Sequence, residues 1–147
     1  MDYQAQLDKA NTKNAFMLHN GIRAVSVNEK EAVCEAMAAP EALNHMGSVH
    51  GSMMMSLAEI TAGLMARSDG RAYVSVEASF RFIGGGKSGE QMTARAEVVK
   101  RGRTMAFIRS RVYQGEKLLL DGDVIFYCTE PQGGIIWGRR MRSLSGP

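Results

Sequence analysis

Cysteine is scarce in this sequence: Cys34 and Cys128 are the only two in 147 residues. Two cysteines cannot build a disulfide scaffold, and neither sits in metal-site spacing, so both are expected to be reduced and structural. Long apolar runs are also missing. Nothing approaches the roughly 18 consecutive apolar residues that a spanning helix needs. The first twenty residues, MDYQAQLDKANTKNAFMLHN, are too polar for a secretory leader. A cytoplasmic protein with no membrane partner is therefore expected. Acid is absent after Glu130, whereas Arg139, Arg140 and Arg142 all lie beyond it. The net charge of +3 thus belongs to a short basic tail, and the body is neutral. That excludes bulk nucleic-acid binding, which draws on a basic body.

What remains is ordinary for a globular chain, 45% apolar and 22% charged. A single domain over residues 1–130 is expected, followed by the tail at 131–147. Residues 1–20 read as a short amphipathic helix and its exit. Residues 22–28 and 31–38 carry β-branched and apolar side chains about a polar turn, a hairpin that Pro40 stops. A polar loop from Asn44 to Gly51 leads into Ser52-Met-Met-Met-Ser-Leu-Ala-Glu-Ile-Thr-Ala-Gly-Leu-Met-Ala66, four helical turns that are apolar nearly all round and must be buried. Val74, Val76, Ala78, Phe80 and Phe82 then alternate with polar residues, as in a half-buried strand. Further strands are expected at 91–100, 104–113 and 117–129, joined by the turns at Gly102 and Gly115. Consecutive strands with short turns imply an antiparallel sheet, and the one greasy helix must pack on a face of it. The class is α+β, about six strands around one central helix.

Several familiar signatures are absent or fail. Gly84-Gly85-Gly86-Lys87-Ser88-Gly89 matches G-x-G-x-x-G, yet it precedes a strand, so no helix N-terminus is present to take a pyrophosphate. It also fails as a P-loop, because Arg81 stands five residues before Gly86. No G-x-S-x-G nucleophile elbow occurs. His19, His45 and His50 form no H-E-x-x-H arrangement, and no metal site is expected. Arg95, Lys100, Arg101, Arg103, Arg109 and Arg111 crowd one segment against Glu97 alone. They are either solvated strand faces or a landing site for an anionic ligand such as a phosphate.

The helix holds the sharper signal. Glu59 is the only charged residue between His50 and Arg67. At 100° per residue it shares a narrow face with Ser52, Ser56 and Gly63, about 60° wide. Small neighbours leave room for a ligand beside a carboxylate that is able to act as base or nucleophile. At the helix start, unpaired N–H groups carry partial positive charge, and Gly51 has no side chain to block approach of a carbonyl oxygen. Glu59 lies about 12 Å further along by helical rise. One chain cannot bring both groups to one carbonyl, so a dimer that sets Glu59 of one subunit near Gly51 of another is expected. Met53, Met54 and Met55 either line a pliable pocket or fill the core.

Asn44-x-x-Gly47-x-x-His50-Gly51-Ser52, followed by an apolar helix with an acid nine residues after the histidine, resembles the hotdog-fold acyl-CoA thioesterases, closest to the phenylacetate-degradation type. The likeness extends to Phe80-Arg81-Phe82, Gly89 and the Lys100-Arg101-Gly102-Arg103 hairpin, and spans roughly residues 20–130. It implies a hotdog fold, hydrolysis of an acyl-CoA thioester, no organic cofactor, and a homo-oligomer, dimer or tetramer. By resemblance, Glu59 is the catalytic acid, Gly51 polarises the thioester carbonyl, Asn44 orients water or the carboxylate, and His50 supports the loop. Ser52, Ser56, Gly63 and Phe82 would line the substrate, with Lys100, Arg101 and Arg103 reaching its phosphates from a hairpin whose side chains diverge into solvent. Two departures stand out: Ser52 replaces the second glycine of His-Gly-Gly, and Gly84-Gly85-Gly86 replaces a loop that often carries proline, giving a mobile rim. The acid is Glu, as in the Glu-using 4-hydroxybenzoyl-CoA branch. The alternative is a non-catalytic acyl-CoA-binding domain, which usually carries an output module for which 147 residues leave no room. A dehydratase would need a His–acid pair that the sequence does not offer.

Overall fold

The computed structural model describes residues 1–130; the expected basic tail, with Arg139, Arg140 and Arg142, lies outside the described residues. The N-terminal segment forms two helices rather than one, α1 (Tyr3–Lys13) and α2 (Ala15–His19). The break falls at Asn14, whose side chain accepts a hydrogen bond from the Met17 N–H and caps α2. The hairpin follows as β1 (Ile22–Val27) and β2 (Ala32–Met37). The long helix α3 (Gly51–Ala66) precedes β3 (Tyr73–Phe82), β4 (Gln91–Arg101), β5 (Met105–Gln114) and β6 (Lys117–Cys128).

All six strands join one antiparallel sheet in the order β1-β2-β4-β5-β6-β3. Helix α3 lies in its curve, the hotdog architecture. Leu57, Ala58, Ala62 and Met65 of the helix are wholly buried, and so are Met92, Ala94, Ile108, Val112 and Val124 of the strands. Alanines at 32, 94 and 106 on the inner face let the helix approach the sheet closely. Each fully buried Leu or Met contributes roughly 1.5–3 kcal/mol, so the greasiness of α3 is what seats it. Cys34 and Cys128 are free and buried, and burial pushes the Cys34 thiol up to about 11. Among the described residues no helix is long and apolar enough to cross a membrane.

Strand β3 departs from its expected half-burial. Among the described residues it pairs with β6 along one edge only, and after Tyr73 it is exposed along nearly its whole length, although Phe82 at its end reaches the start of α3. A register shift between Ser75 and Glu77 also inverts the alternation. Tyr73 turns inward opposite buried Cys128, leaving Val74 outside, whereas Phe80 turns inward opposite Gly122. The Phe80 ring fills the space above Gly122, where a Cβ would lie 2.4 Å from it.

Candidate functional site

The N-terminus of α3 is built by its own loop. Asn44 Oδ1 accepts hydrogen bonds from the Met46 and Ser48 N–H groups at 2.9 and 3.1 Å, and its backbone N–H donates to Ser48. This tight turn needs Gly47 at φ +81°, a left-handed conformation that glycine adopts without strain. Asn44 Nδ2 has no partner among the described residues, so that end of the amide is available. His50 caps the helix: Nδ1 accepts from the Ser52 N–H at 3.0 Å. An acceptor Nδ1 carries no proton, so in the neutral ring the proton resides on Nε2. With Ser52 N–H engaged by His50, the Gly51 N–H is left with no acceptor among the described residues.

Phe82 stands directly over this spot. A Cβ at Gly51 would lie 2.8 Å from the Phe82 ring, so glycine is what allows the aromatic edge against the helix entry. The Gly84–Gly86 loop beside it is pinned rather than mobile. Gly84 N–H donates to Leu119, Gly86 carbonyl accepts from Val49, and Gln114 bridges both ways to the Lys87 backbone. A Cβ at Gly86 would collide with Val49 at 2.8 Å and one at Gly84 with the Leu118 carbonyl at 2.9 Å, so these two glycines serve close packing, whereas Gly85 faces open space.

Along the helix face, Ser56 Oγ donates back to the Ser52 carbonyl, and Glu59 is half-buried. No hydrogen bond or ion pair among the described residues holds the Glu59 carboxylate. A cleft of about 880 Å³ opens beside the first two turns of the helix, lined by His50, Ser52 and Ser56 with Phe16, Met37 and Met53; Glu59 does not line it. Met53 and Met55 are partly buried and Met54 is core, so the methionine run divides between pocket and packing. Glu59 remains roughly 12 Å along α3 from Gly51.

The Arg-rich hairpin occupies the other end of α3. Arg101 does not diverge into solvent. Its guanidinium donates to the Ala66 and Met65 carbonyls at 2.7 and 3.1 Å, to Tyr73 Oη at 2.9 Å and to Asp69 at 3.0 Å. It thereby caps the last carbonyls of the helix, where a cation is favoured. Burial pushes the Asp69 carboxyl up, but bonds from Tyr73 and Arg71 and the charge of Arg101 outweigh it and hold Asp69 below the usual carboxylate range. Burial, then Asp69, push the Tyr73 phenol up to about 12. The rest of the basic cluster is largely neutralised: Arg95 pairs with Glu31, Arg109 with Asp123 and Arg111 with Asp121. Lys100 and Arg103 alone of the six are exposed and without an ion pair among the described residues.

Two groups escaped the sequence reading. One is the Asp69–Tyr73–Arg101 cluster, whose members are scattered along the chain. The other is Arg67, eight residues beyond Glu59. Its guanidinium folds back over Gly63, so the space expected to be vacant there is filled by an arginine. Among the described residues no group of three or more His, Cys, Asp or Glu could hold a metal ion.

A family profile described as "Thioesterase superfamily" matches residues 46–120, which include Gly51, Glu59 and the Arg101 hairpin. Human acyl-coenzyme A thioesterase 13 is 31% identical over 88 residues, covering 58% of this chain and 63% of that protein. The chain spans about three fifths of the length of the acyl-coenzyme A thioesterases it matches. Among solved structures, the E. coli PaaI protein from the phenylacetic acid degradation operon aligns with TM-score 0.79 and 26% identity over 89% of this chain and 94% of that one. A hypothetical thioesterase from Streptococcus pneumoniae, solved with coenzyme A, shares the fold at TM-score 0.71 and 21% identity, over 78% of this chain and 87% of that one.

Proposed function

This chain belongs to the thioesterase superfamily, and from that membership we propose that it hydrolyses acyl-CoA thioesters to free CoA and a carboxylic acid. The observation that carries this reading is the pairing, on one helix, of an uncommitted carboxylate at Glu59 with an unpaired N–H at Gly51. In the proposed reaction the thioester carbonyl accepts the Gly51 N–H, which stabilises charge developing on oxygen. Glu59 either takes a proton from water as that water attacks, or attacks the carbonyl itself. The tetrahedral intermediate expels the CoA thiolate, which is protonated on release; where Glu59 is the nucleophile, this leaves a mixed anhydride that water then hydrolyses to the carboxylic acid and free Glu59. His50 acts by holding Ser52 N–H, keeping the helix entry in place and leaving the Gly51 N–H for substrate. The amide Nδ2 of Asn44 is the group left to orient water. Phe82, Ser52 and Ser56 border the thioester, and Lys100 and Arg103 are the exposed cations of the hairpin for CoA phosphates.

The active unit in this reading is at least a dimer. Gly51 and Glu59 are too far apart in one chain to serve one carbonyl, and β3 has a ten-residue edge with no partner strand among the described residues, with Val74, Val76 and Phe82 at 42–55% exposure. Long apolar edges are ordinarily covered, and a second copy covers this one by the same ladder that joins β3 to β6. Relatives named as thioesterases and a structural neighbour solved with coenzyme A support the substrate class. The test is turnover of a panel of acyl-CoA substrates, followed by thiol release. Binding without turnover across the panel would instead support a non-catalytic acyl-CoA-binding domain.

A further inference from the structure

The two ends of α3 differ in charge. The cleft beside its first two turns is lined by no lysine or arginine. A second cleft, of about 730 Å³, opens between α1 and the C-terminal end of α3, and it is lined by Lys9, Lys13, Arg67 and Arg71 against one acid, Glu130. Lys9 and Lys13 are four apart on α1 and so share one face of that helix. Both lysines and Arg67 are exposed and have no ion pair among the described residues, and residues 131–147 contain no Asp or Glu. Glu59, outside the cleft, offsets part of the Arg67 charge.

The walls of this cleft are tied in place. Gln6 Nε2 donates to the Arg67 carbonyl at 2.8 Å, which joins α1 to the end of α3. Asn11 exchanges two hydrogen bonds with the Ala24 backbone, at 2.8 and 2.9 Å, which joins the same helix to β1. Arg71 is held by Asp69 at 2.8 Å and by the Arg103 and Gly102 carbonyls, so it frames the cleft, and Lys9, Lys13 and Arg67 are the cations left to offer. Asn14 adds a neutral donor: its Oδ1 caps α2, and its Nδ2 has no partner among the described residues. Ala10, Ala15 and Ala72 between the cations are small and leave the space open. Charges of one sign gathered round a concave surface repel one another and focus a positive potential into it, which an anion relieves.

We propose that this cleft binds a multiply charged phosphate ligand of nucleotide size. Its volume falls within the roughly 300–1,000 Å³ that small-molecule sites occupy, more than a single phosphate fills. Two lysines act as point charges for phosphate oxygens and the arginine as a bidentate fork. A single carboxylate would meet one of these cations and leave the others as they are. Two sources carry the required chemistry: the nucleotide end of CoA, with its pyrophosphate and 3′-phosphate, and a free nucleotide acting as an effector. The site goes beyond the hydrolytic reading and does not depend on it.

Calorimetric titration of the full chain with adenosine 3′,5′-bisphosphate and with ATP, at low salt, tests this without any turnover. At least one probe should bind with a Kd below about 0.1 mM, and more weakly as salt screens the cations. Lys9→Ala with Lys13→Ala should weaken that binding at least tenfold. Lys30→Ala with Lys117→Ala removes the same charge from residues that do not line the cleft, and should change it less than twofold. Alanine suits exposed helical positions, so the melting temperature should hold; Lys9→Gln with Lys13→Gln repeats the test with longer side chains. Failure of both probes to bind the parent overturns the proposal. So does binding that survives the Lys9 and Lys13 changes, which would assign the phosphates to another part of the chain. Competition then separates the sources. If CoA displaces the probe and the lysine pair weakens CoA to the same degree, the cleft holds the nucleotide of CoA; if the probe binds beside saturating CoA, the cleft is an effector site. Both results uphold the site. Absence of turnover on any thioester would fault the hydrolytic reading and leave this one standing.

Discussion

Glu59 is half-buried beside Ser56, and no hydrogen bond or ion pair among the described residues commits its carboxylate to a structural role. Replacing it with alanine or glutamine should lower kcat on acyl-CoA at least a hundredfold, the scale of lost general-base catalysis. The amide keeps the shape but neither takes a proton nor attacks. Aspartate should lose less, because the carboxylate survives one methylene short. Circular dichroism and the melting temperature should stay near those of the parent, since a half-exposed side chain without partners supports little structure. Retention of most of the parent kcat would remove Glu59 from the mechanism. The position was legible in the sequence because an isolated charge in an apolar helix is visible by counting. Arg67 was not, although its spacing of four from Gly63 was equally visible. Whether a terminal arginine swings into solvent or folds back along its helix depends on the packing around Gly63 and Phe126, and side-chain spacing alone does not contain that.

At the scale of elements, α3 is secured at its two ends by different chemistry. The N-terminus is capped by an imidazole and left open for a ligand; the C-terminus is closed by the Arg101 guanidinium with Asp69 and Tyr73. Arg101→Ala should therefore act on stability rather than on KM. Losing charged bonds to two helix carbonyls and a carboxylate costs about 2 kcal/mol, a fall of roughly 4–8 °C in Tm for a chain of this size. Lys100→Ala with Arg103→Ala, both exposed, should leave Tm alone and raise KM several-fold, less so at high salt. If that pair leaves KM unchanged, the hairpin does not hold the phosphates. The same cluster gives a pH signature. The Tyr73 phenol is raised to about 12 in the folded protein against an ordinary value near 10. A raised pKa favours the protonated folded state, so this contribution is full below pH 10 and is lost as pH rises toward 12. Thermal melts from pH 9 to 12 should show a steeper loss for the parent than for Tyr73→Phe, which has no proton to lose. Hydrophobic period told the class of each element, and strand lengths came close, because alternation and turn residues are local. The order of the sheet is not local, and it leaves β3 at an edge with only β6 beside it, which is why β3 is exposed. The bulge near Val76 then reversed an alternation that looks regular on paper.

For the whole molecule, the edge of β3 that no described strand pairs and the separation between Gly51 and Glu59 make the same demand: a second copy. Light scattering should give at least a dimer. Val74→Asp with Val76→Asp distinguishes an interface from a wet surface. On a truly solvent-facing edge such changes cost little, usually within about 0.5 kcal/mol each; at an interface they place carboxylates where the partner strand must pair. The expected product is a monomer that still melts cooperatively and does not hydrolyse thioesters. Complementation then asks whether the site spans subunits. Glu59→Ala lacks the acid. Gly51→Pro lacks the N–H, at the first helical position where proline is tolerated, and needs Phe82→Ala beside it because a Cβ at 51 would meet that ring at 2.8 Å. Each protein should be inactive alone. After subunits exchange, a mixed dimer has one site with both defects and one site with neither, because each site takes its acid from one chain and its N–H from the other. Random pairing with two-fold symmetry then restores roughly a quarter of parental activity. If exchange is confirmed and no activity returns, both groups act within one chain, and a carbonyl must be reached by some path other than the helix distance allows; an active monomer would lead to the same conclusion.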